Sequence, residues 1–90
     1  MYLLAFYLAV LPPFYQSTRE IQTILSDPRL SASLGSAEPI IEIHRTETGY
    51  EVLTLHYRLE IDRIYKPQPL PGPAQFELEF HEVEARTGNN

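Results

Sequence analysis

Three histidines lie close to carboxylates in the sequence, and these are the residues whose types could support chemistry. His44 follows Glu42 by two positions, His81 follows Glu79 by two positions, and His56 lies between these pairs. Imidazole titrates near neutral pH and is the commonest metal ligand in proteins, so the set suggests a metal site or an acid–base pair. We single out Glu79 and His81 as a tight local pair, because residues two apart in a strand share a face.

The stretch LTLHYRLEID, residues 53–62, alternates apolar and polar residues and predicts one half-buried strand. Its polar row includes Thr54, His56 and Arg58, together with two carboxylates. Rows of this kind are usually solvated faces with charged cross-strand neighbours. We therefore expect this row to be exposed and substitutions at Arg58 to change stability little.

A hairpin is predicted around TETG, residues 46–49, with Gly49 free to adopt a positive φ. The apolar side of the second strand begins at Leu53. Placing Ile43 on that side requires a three-residue loop with Thr46 opposite Tyr50.

That register separates the first two histidines. His44 and His56 then lie roughly 13 Å apart along the strands, at about 3.3 Å per residue, which is too far for one ion. His81 can lie near either of them, depending on how the last strand pairs. The register therefore argues against a metal site that includes both His44 and His56.

Helical patterns follow the first, apolar stretch. Ser17 and Glu20 have the spacing of a capping box and predict that a helix begins at Ser17. An apolar stripe follows, made of Ile21, Ile24 and Leu25. Asp27 and Pro28 end this helix and can start a second short turn, with Leu30 and Leu34 on one face and Gly35 as its end.

Residues 2–11, YLLAFYLAVL, predict a buried central strand because they are apolar on both faces. A basic start and a cleavage site are missing, so a signal peptide is only a minor alternative, and the run is too short for a membrane span. Residues 74–84 predict a last strand with Phe76, Leu78 and Phe80 inside. A proline-rich connection, residues 66–75, precedes it.

The predicted element order is β-α-β-β-β. This is a two-layer α+β fold, with one helix packed on a mostly antiparallel four-stranded sheet. A chain of 90 residues forms one small domain, which we place at residues 1–85, with a flexible tail at residues 86–90.

The composition narrows the classes of function. The chain contains no cysteine, which excludes disulfides and thiolate metal sites and fits a cytoplasmic protein. Its net charge of −5 argues against nucleic acid and anionic membranes as partners. The sequence contains none of the common nucleotide-binding or hydrolase motifs, so we expect neither an enzyme nor a bound cofactor.

The sequence therefore predicts a small non-catalytic interaction domain that binds a protein partner or a second copy through a sheet face or an edge strand. Tyr7 is expected at the centre of this surface, because its strand is apolar on both faces and one helix covers only one of them. The expected surface comprises Tyr7, Thr54, His56, Arg58, Glu79 and His81. The alternative is a small-ligand or metal-binding module, or a minor enzyme, that uses His56, Glu79 and His81 on the same face.

Overall fold

The structure is a computed structural model that describes residues 12–67 and 74–86. Two helices, α1 (Pro13–Ser26) and α2 (Pro28–Leu34), pack on an antiparallel sheet. The strands are β1 (Glu42–Arg45), β2 (Gly49–Leu53), β3 (Tyr57–Tyr65), β4 (Phe76–Phe80) and β5 (Glu84–Ala85). They are ordered β1-β2-β3-β4, and β5 also pairs with β3. The predicted α+β class is confirmed, and the described residues contain two helices where one was predicted.

Three predicted segments lie wholly or partly outside the described residues: the first strand with Tyr7, the centre of the proline-rich connection, and residues 87–90. Arg86, which the prediction assigned to the tail, is described. Its backbone N–H donates to the His56 carbonyl at 2.8 Å, and its guanidinium donates to the Thr54 carbonyl at 2.6 Å. These bonds attach Arg86 to the turn between β2 and β3.

Helix α1 begins earlier than the capping-box pattern predicted, so the predicted start at Ser17 is wrong. Pro13 occupies the first turn, where its fixed φ suits a helix and its missing N–H costs nothing. The Gln16 N–H already donates to the Pro12 carbonyl at 3.0 Å. Ser17 therefore lies inside the helix, where its hydroxyl accepts a hydrogen bond of 2.8 Å from Arg45.

Helix α2 has the ends that the sequence predicted. The Asp27 carboxylate accepts a hydrogen bond of 2.9 Å from the Arg29 backbone N–H, and Pro28 follows as the first helical residue. Gly35 ends the helix with a φ of 80°. Leu30 is buried against the sheet.

The β1–β2 hairpin has a shorter loop than predicted. The Thr46 N–H donates to the Gly49 carbonyl at 2.8 Å, so two residues form the turn, and the predicted three-residue loop is wrong. Ile43 lies opposite Val52, because the inward row of β2 consists of Tyr50 and Val52 and not of Leu53. The apolar pattern alone did not identify which row faces the core.

Gly49 is required for close approach and not for a positive φ. A Cβ atom at this position would lie 2.0 Å from the Ile61 carbonyl oxygen and 2.9 Å from both Arg63 N and Asp62 Cα. All three are backbone atoms of the neighbouring strand, which cannot move aside independently.

Residues 53–62 do not form one strand, so that prediction is wrong. The Thr54 N–H donates to the Tyr57 carbonyl at 3.0 Å, and the Tyr57 N–H donates to the Thr54 hydroxyl at 3.2 Å. This tight turn separates β2 from β3. The predicted alternation survives within β3, where Leu59 and Ile61 are buried.

The core lies between the helices and the inner face of the sheet. Its buried apolar residues are Ile24, Leu30, Tyr50, Val52, Leu59 and Ile61. Phe76, Leu78 and Phe80 of β4 are half-buried, in agreement with the predicted inward row. Glu20 of α1 is also buried here, although it is charged.

Two arginines from the helical layer contact β4. The Arg19 guanidinium donates to the Ala74 carbonyl at 2.9 Å and lies over the Phe76 ring. The Arg29 guanidinium donates to the Leu78 carbonyl at 3.4 Å and lies over a second ring of the same strand. These contacts tie both helices to β4, which is an outer strand of the sheet within the described residues.

Candidate functional site

The outer face of the sheet, turned away from the helices, carries an unusual concentration of carboxylates. Cross-strand neighbours share a face, and the inner face is defined by the pairs Val52–Leu59 and Tyr50–Ile61. The alternate residues therefore form the outer face, which we call the acidic face. Its carboxylates are Glu42, Glu51, Glu60, Asp62, Glu77, Glu79 and Glu84.

The acidic face carries fewer permanent positive charges than carboxylates. Arg58 lies within it, and Lys66 reaches it through an ion pair of 3.4 Å with Glu77. Seven carboxylates against two permanent cations leave an excess of five negative charges, which equals the net charge of the chain. Four of the other arginines contact aromatic rings on the helical side, namely Arg19, Arg29, Arg45 and Arg63. The remaining carboxylates and arginines of the chain balance each other, so the negative excess lies on the acidic face.

One half of the acidic face is organised around Arg58. Its Nε lies 3.4 Å from Oε2 of Glu51, and its Nη2 donates to the Glu84 carboxylate. The hydrogen bond with Glu84 and the surrounding carboxylates raise the pKa of Arg58 further above its already high value. Leu53 is buried on this face, next to Arg58. This half is therefore balanced by a permanent cation.

The other half is organised around His81. Its Nε2 lies 2.9 Å from Oδ2 of Asp62, while the Thr48 hydroxyl donates to Oδ1 of Asp62 at 2.9 Å. These hydrogen bonds lower the pKa of Asp62, and the bond with Asp62 raises the pKa of His81. Glu79 lies directly opposite Asp62. The candidate ligand atoms of Asp62, Glu79 and His81 all lie within 4.8 Å of one another.

A cavity of about 270 Å³ lies between the two halves. Its lining residues are Arg58, Glu60, His81, Glu82 and Glu84. Three of these five residues are glutamates, so the cavity is suited to a cationic side chain.

The residues of the predicted interaction surface do not all lie together in the structure. Arg58, Glu79 and His81 are exposed on the acidic face, as predicted. Thr54 is only 2% exposed, so its predicted place in an exposed row is wrong. Its hydroxyl bonds within the turn and is removed from water. Tyr7 lies outside the described residues.

His56 lies in the β2–β3 turn and does not join Glu79 and His81. Its ring Nδ1 lies 2.5 Å from Oε2 of Glu38, and its backbone N–H donates to Oε1 of Glu38 at 3.0 Å. These two hydrogen bonds lower the pKa of Glu38 to about 2. His44 forms a separate pair with Glu42, at 3.1 Å.

Sequence reasoning missed Asp62 as the third member of the His81 group. The sequence placed Asp62 in the polar row of residues 53–62. Its neighbour Glu79 lies on β4, and no local sequence pattern determines how β4 is aligned with β3. Thr48, read only as part of a hairpin loop, was missed for the same reason.

No family model matches the chain, and no curated protein or solved structure matches it. In the described part of the chain, neither helix is long and apolar enough to cross a membrane. A function must therefore be inferred from the geometry and charge of the acidic face.

Proposed function

We propose that this protein is a small non-catalytic interaction domain of the cytoplasm and that its acidic face binds a basic segment of a protein partner. The main support is the charge of this face, where seven carboxylates are accompanied by two permanent cations. Such a surface attracts a basic partner over long range and disfavours acidic ones. For the same reason, two copies of the acidic face repel each other, which favours a different protein over a second copy as the partner.

The cavity between the two halves gives the proposed contact a defined centre. Glu60 and Glu82 line it together with His81 and the Arg58–Glu84 pair, and its volume of about 270 Å³ accommodates one lysine or arginine side chain. A guanidinium inserted there would bond to carboxylates in a bidentate manner, which adds geometric specificity to the attraction.

The histidines are consistent with a binding role. Each described histidine is held by a carboxylate: His44 by Glu42, His56 by Glu38 and His81 by Asp62. All three side chains are partly exposed, and in each case the contact of the ring is with a carboxylate.

The proposal is tested with a short arginine- and lysine-rich peptide, compared with the same peptide after acetylation of its lysines and replacement of its arginines by glutamine. We expect salt-sensitive binding of the basic peptide only, with NMR shift changes confined to the acidic face. Glu60→Lys should weaken binding about tenfold or more, because it places a cation in the cavity.

Glu47→Lys is the matched control, since Glu47 is an exposed residue of the β1–β2 turn and the substitution changes the net charge equally. Equal weakening by Glu47→Lys and Glu60→Lys would mean that only net charge matters, and the proposed surface would then be wrong. Shift changes confined to the helical side would also overturn it.

A further inference from the structure

We infer that Asp62, Glu79 and His81 form a binding site for one divalent transition-metal ion, with Zn²⁺ as the best-suited probe. This inference does not depend on peptide binding. Its first support is convergence, because one ligand atom from each side chain lies within 4.8 Å of the other two. It is the only group of three such ligands in the described parts of the chain, 12–67 and 74–86.

The second support is an unbalanced pair of carboxylates. Asp62 and Glu79 lie directly opposite each other on adjacent strands, where like charges repel. Arg58 supplies a permanent cation to the corresponding carboxylates in the other half of the face. Among the described residues, no arginine or lysine pairs with Asp62 or Glu79, and the neighbour of this pair of carboxylates is His81. Within the described residues, the Glu79 carboxylate takes part in no hydrogen bond or ion pair.

The donor set indicates the class of ion. One imidazole nitrogen and two carboxylate oxygens suit Zn²⁺ and related transition ions, whereas Mg²⁺ and Ca²⁺ prefer oxygen ligands alone. Binding at metal–ligand distances of about 2.0–2.2 Å requires the ion to replace the hydrogen bond between His81 and Asp62 and the exposed Glu79 side chain to rotate towards them. Thr48 holds Oδ1 of Asp62, so Oδ2 stays directed towards His81.

The chain contains a closely matched control pair. Glu42 and His44 have the same two-residue spacing on the same face, with Nε2 of His44 3.1 Å from Oε2 of Glu42. The carboxylate opposite His44 is Glu51, but it is paired with Arg58. This pair therefore has two donors and no free third carboxylate, so it should not hold an ion at the same concentration.

The experiment is a titration of the folded chain with ZnCl₂ alone, followed by calorimetry and by NMR of the histidine rings. We expect one saturable site, with changes at the His81 ring and none at the His44 ring. Glu79→Gln should weaken Zn²⁺ binding about tenfold or more, whereas Glu42→Gln should leave it unchanged. MgCl₂ should show no saturable binding.

Both glutamates are exposed, so the variants should fold, which the dispersion of their amide spectra verifies. Equal weakening by Glu79→Gln and Glu42→Gln would overturn the inference. So would non-saturable changes spread over all three histidines, because they would indicate only non-specific attraction of cations to an acidic surface.

Discussion

The phenolic hydroxyl of Tyr50 on β2 donates a hydrogen bond of 2.7 Å to Oε1 of Glu20 on α1. Both residues are buried, with exposed fractions of 2% and 0%. Tyr65 donates to the other carboxylate oxygen, and Arg63 lies 3.3 Å from Oε1. Burial alone raises the pKa of Glu20, but the hydrogen bonds and the charge of Arg63 outweigh it and lower the pKa below its ordinary value. The helical layer is thus joined to the sheet by an ionised carboxylate.

Replacement of this carboxylate should destabilise the fold strongly. Glu20→Ala leaves the Arg63 side chain, which is only 9% exposed, without its ion-pair partner. We expect the free energy of unfolding in urea to fall by about 3 kcal/mol or more. Ser17→Ala, one turn earlier in the helix, removes hydrogen bonds of the Ser17 hydroxyl with Arg45 and Tyr50 but leaves no buried charge unpaired, so it should cost about 1 kcal/mol. Similar costs for the two variants would contradict a buried charged network.

Two glycines should respond differently to alanine. Gly49→Ala places a methyl group 2.0 Å from the Ile61 carbonyl oxygen, so β2 and β3 must separate locally. We expect a loss of about 3 kcal/mol or more, or failure to fold. Gly35→Ala meets no atom within 4 Å and carries only the backbone strain of a φ of 80° with a ψ of −178°, about 1–3 kcal/mol. Thermal unfolding of the two variants tests this order, and a more harmful Gly35→Ala would contradict it.

The turn between β2 and β3 predicts the effect of Thr54→Val. The hydroxyl of Thr54 accepts a hydrogen bond from the Tyr57 N–H, and the side chain is buried. Valine keeps the shape but leaves that N–H without its partner, so stability to urea should fall by about 1–2 kcal/mol. Leu55→Ser, at the 60% exposed neighbour, should have a much smaller effect. An unchanged stability for Thr54→Val would instead favour a continuous strand through this position.

The Glu38–His56 pair predicts a defined pH dependence. The pKa of Glu38 is lowered from an ordinary value of 4.5 to about 2 by hydrogen bonds from the His56 ring and backbone. A carboxyl group whose pKa is lowered in the folded protein stabilises the fold at pH values above its ordinary pKa. This contribution is lost as the pH falls towards the lowered pKa. The difference in unfolding free energy between the natural chain and Glu38→Gln should therefore shrink as the pH falls between about 4.5 and 2. A difference independent of pH would show that the carboxylate is not held by His56.

Local patterns predicted some elements and not others. Helix α2 was found because Asp27, Pro28 and Gly35 act within their own few residues. The start of α1 was misplaced because Glu20 has the spacing of a capping residue, while its carboxylate is bound by tyrosines from distant strands. Only the folded chain shows which use of Glu20 prevails.

The acidic face was predicted only in part, again because its arrangement depends on contacts between residues distant in sequence. The alternation in β3 placed Arg58 correctly, but Thr54 to Tyr57 contains neither glycine nor proline, so the turn gave no signal. Without that turn, the pairing of β2 with β3 and the grouping of Asp62 with His81 cannot be derived. Strand register depends on contacts distant in sequence, and a shift of one residue exchanges the two faces.

The arginines that contact β4 also affect how the protein behaves at high concentration. The outward main-chain groups of an outer strand are a template for strands from other molecules, and such pairing leads to aggregation. Arg19 and Arg29 already donate to the carbonyls of Ala74 and Leu78, and their charges lie along the same edge. An incoming strand would have to displace both guanidinium groups before it could pair. This edge is therefore protected against intermolecular sheet growth without a bulge or a proline within β4.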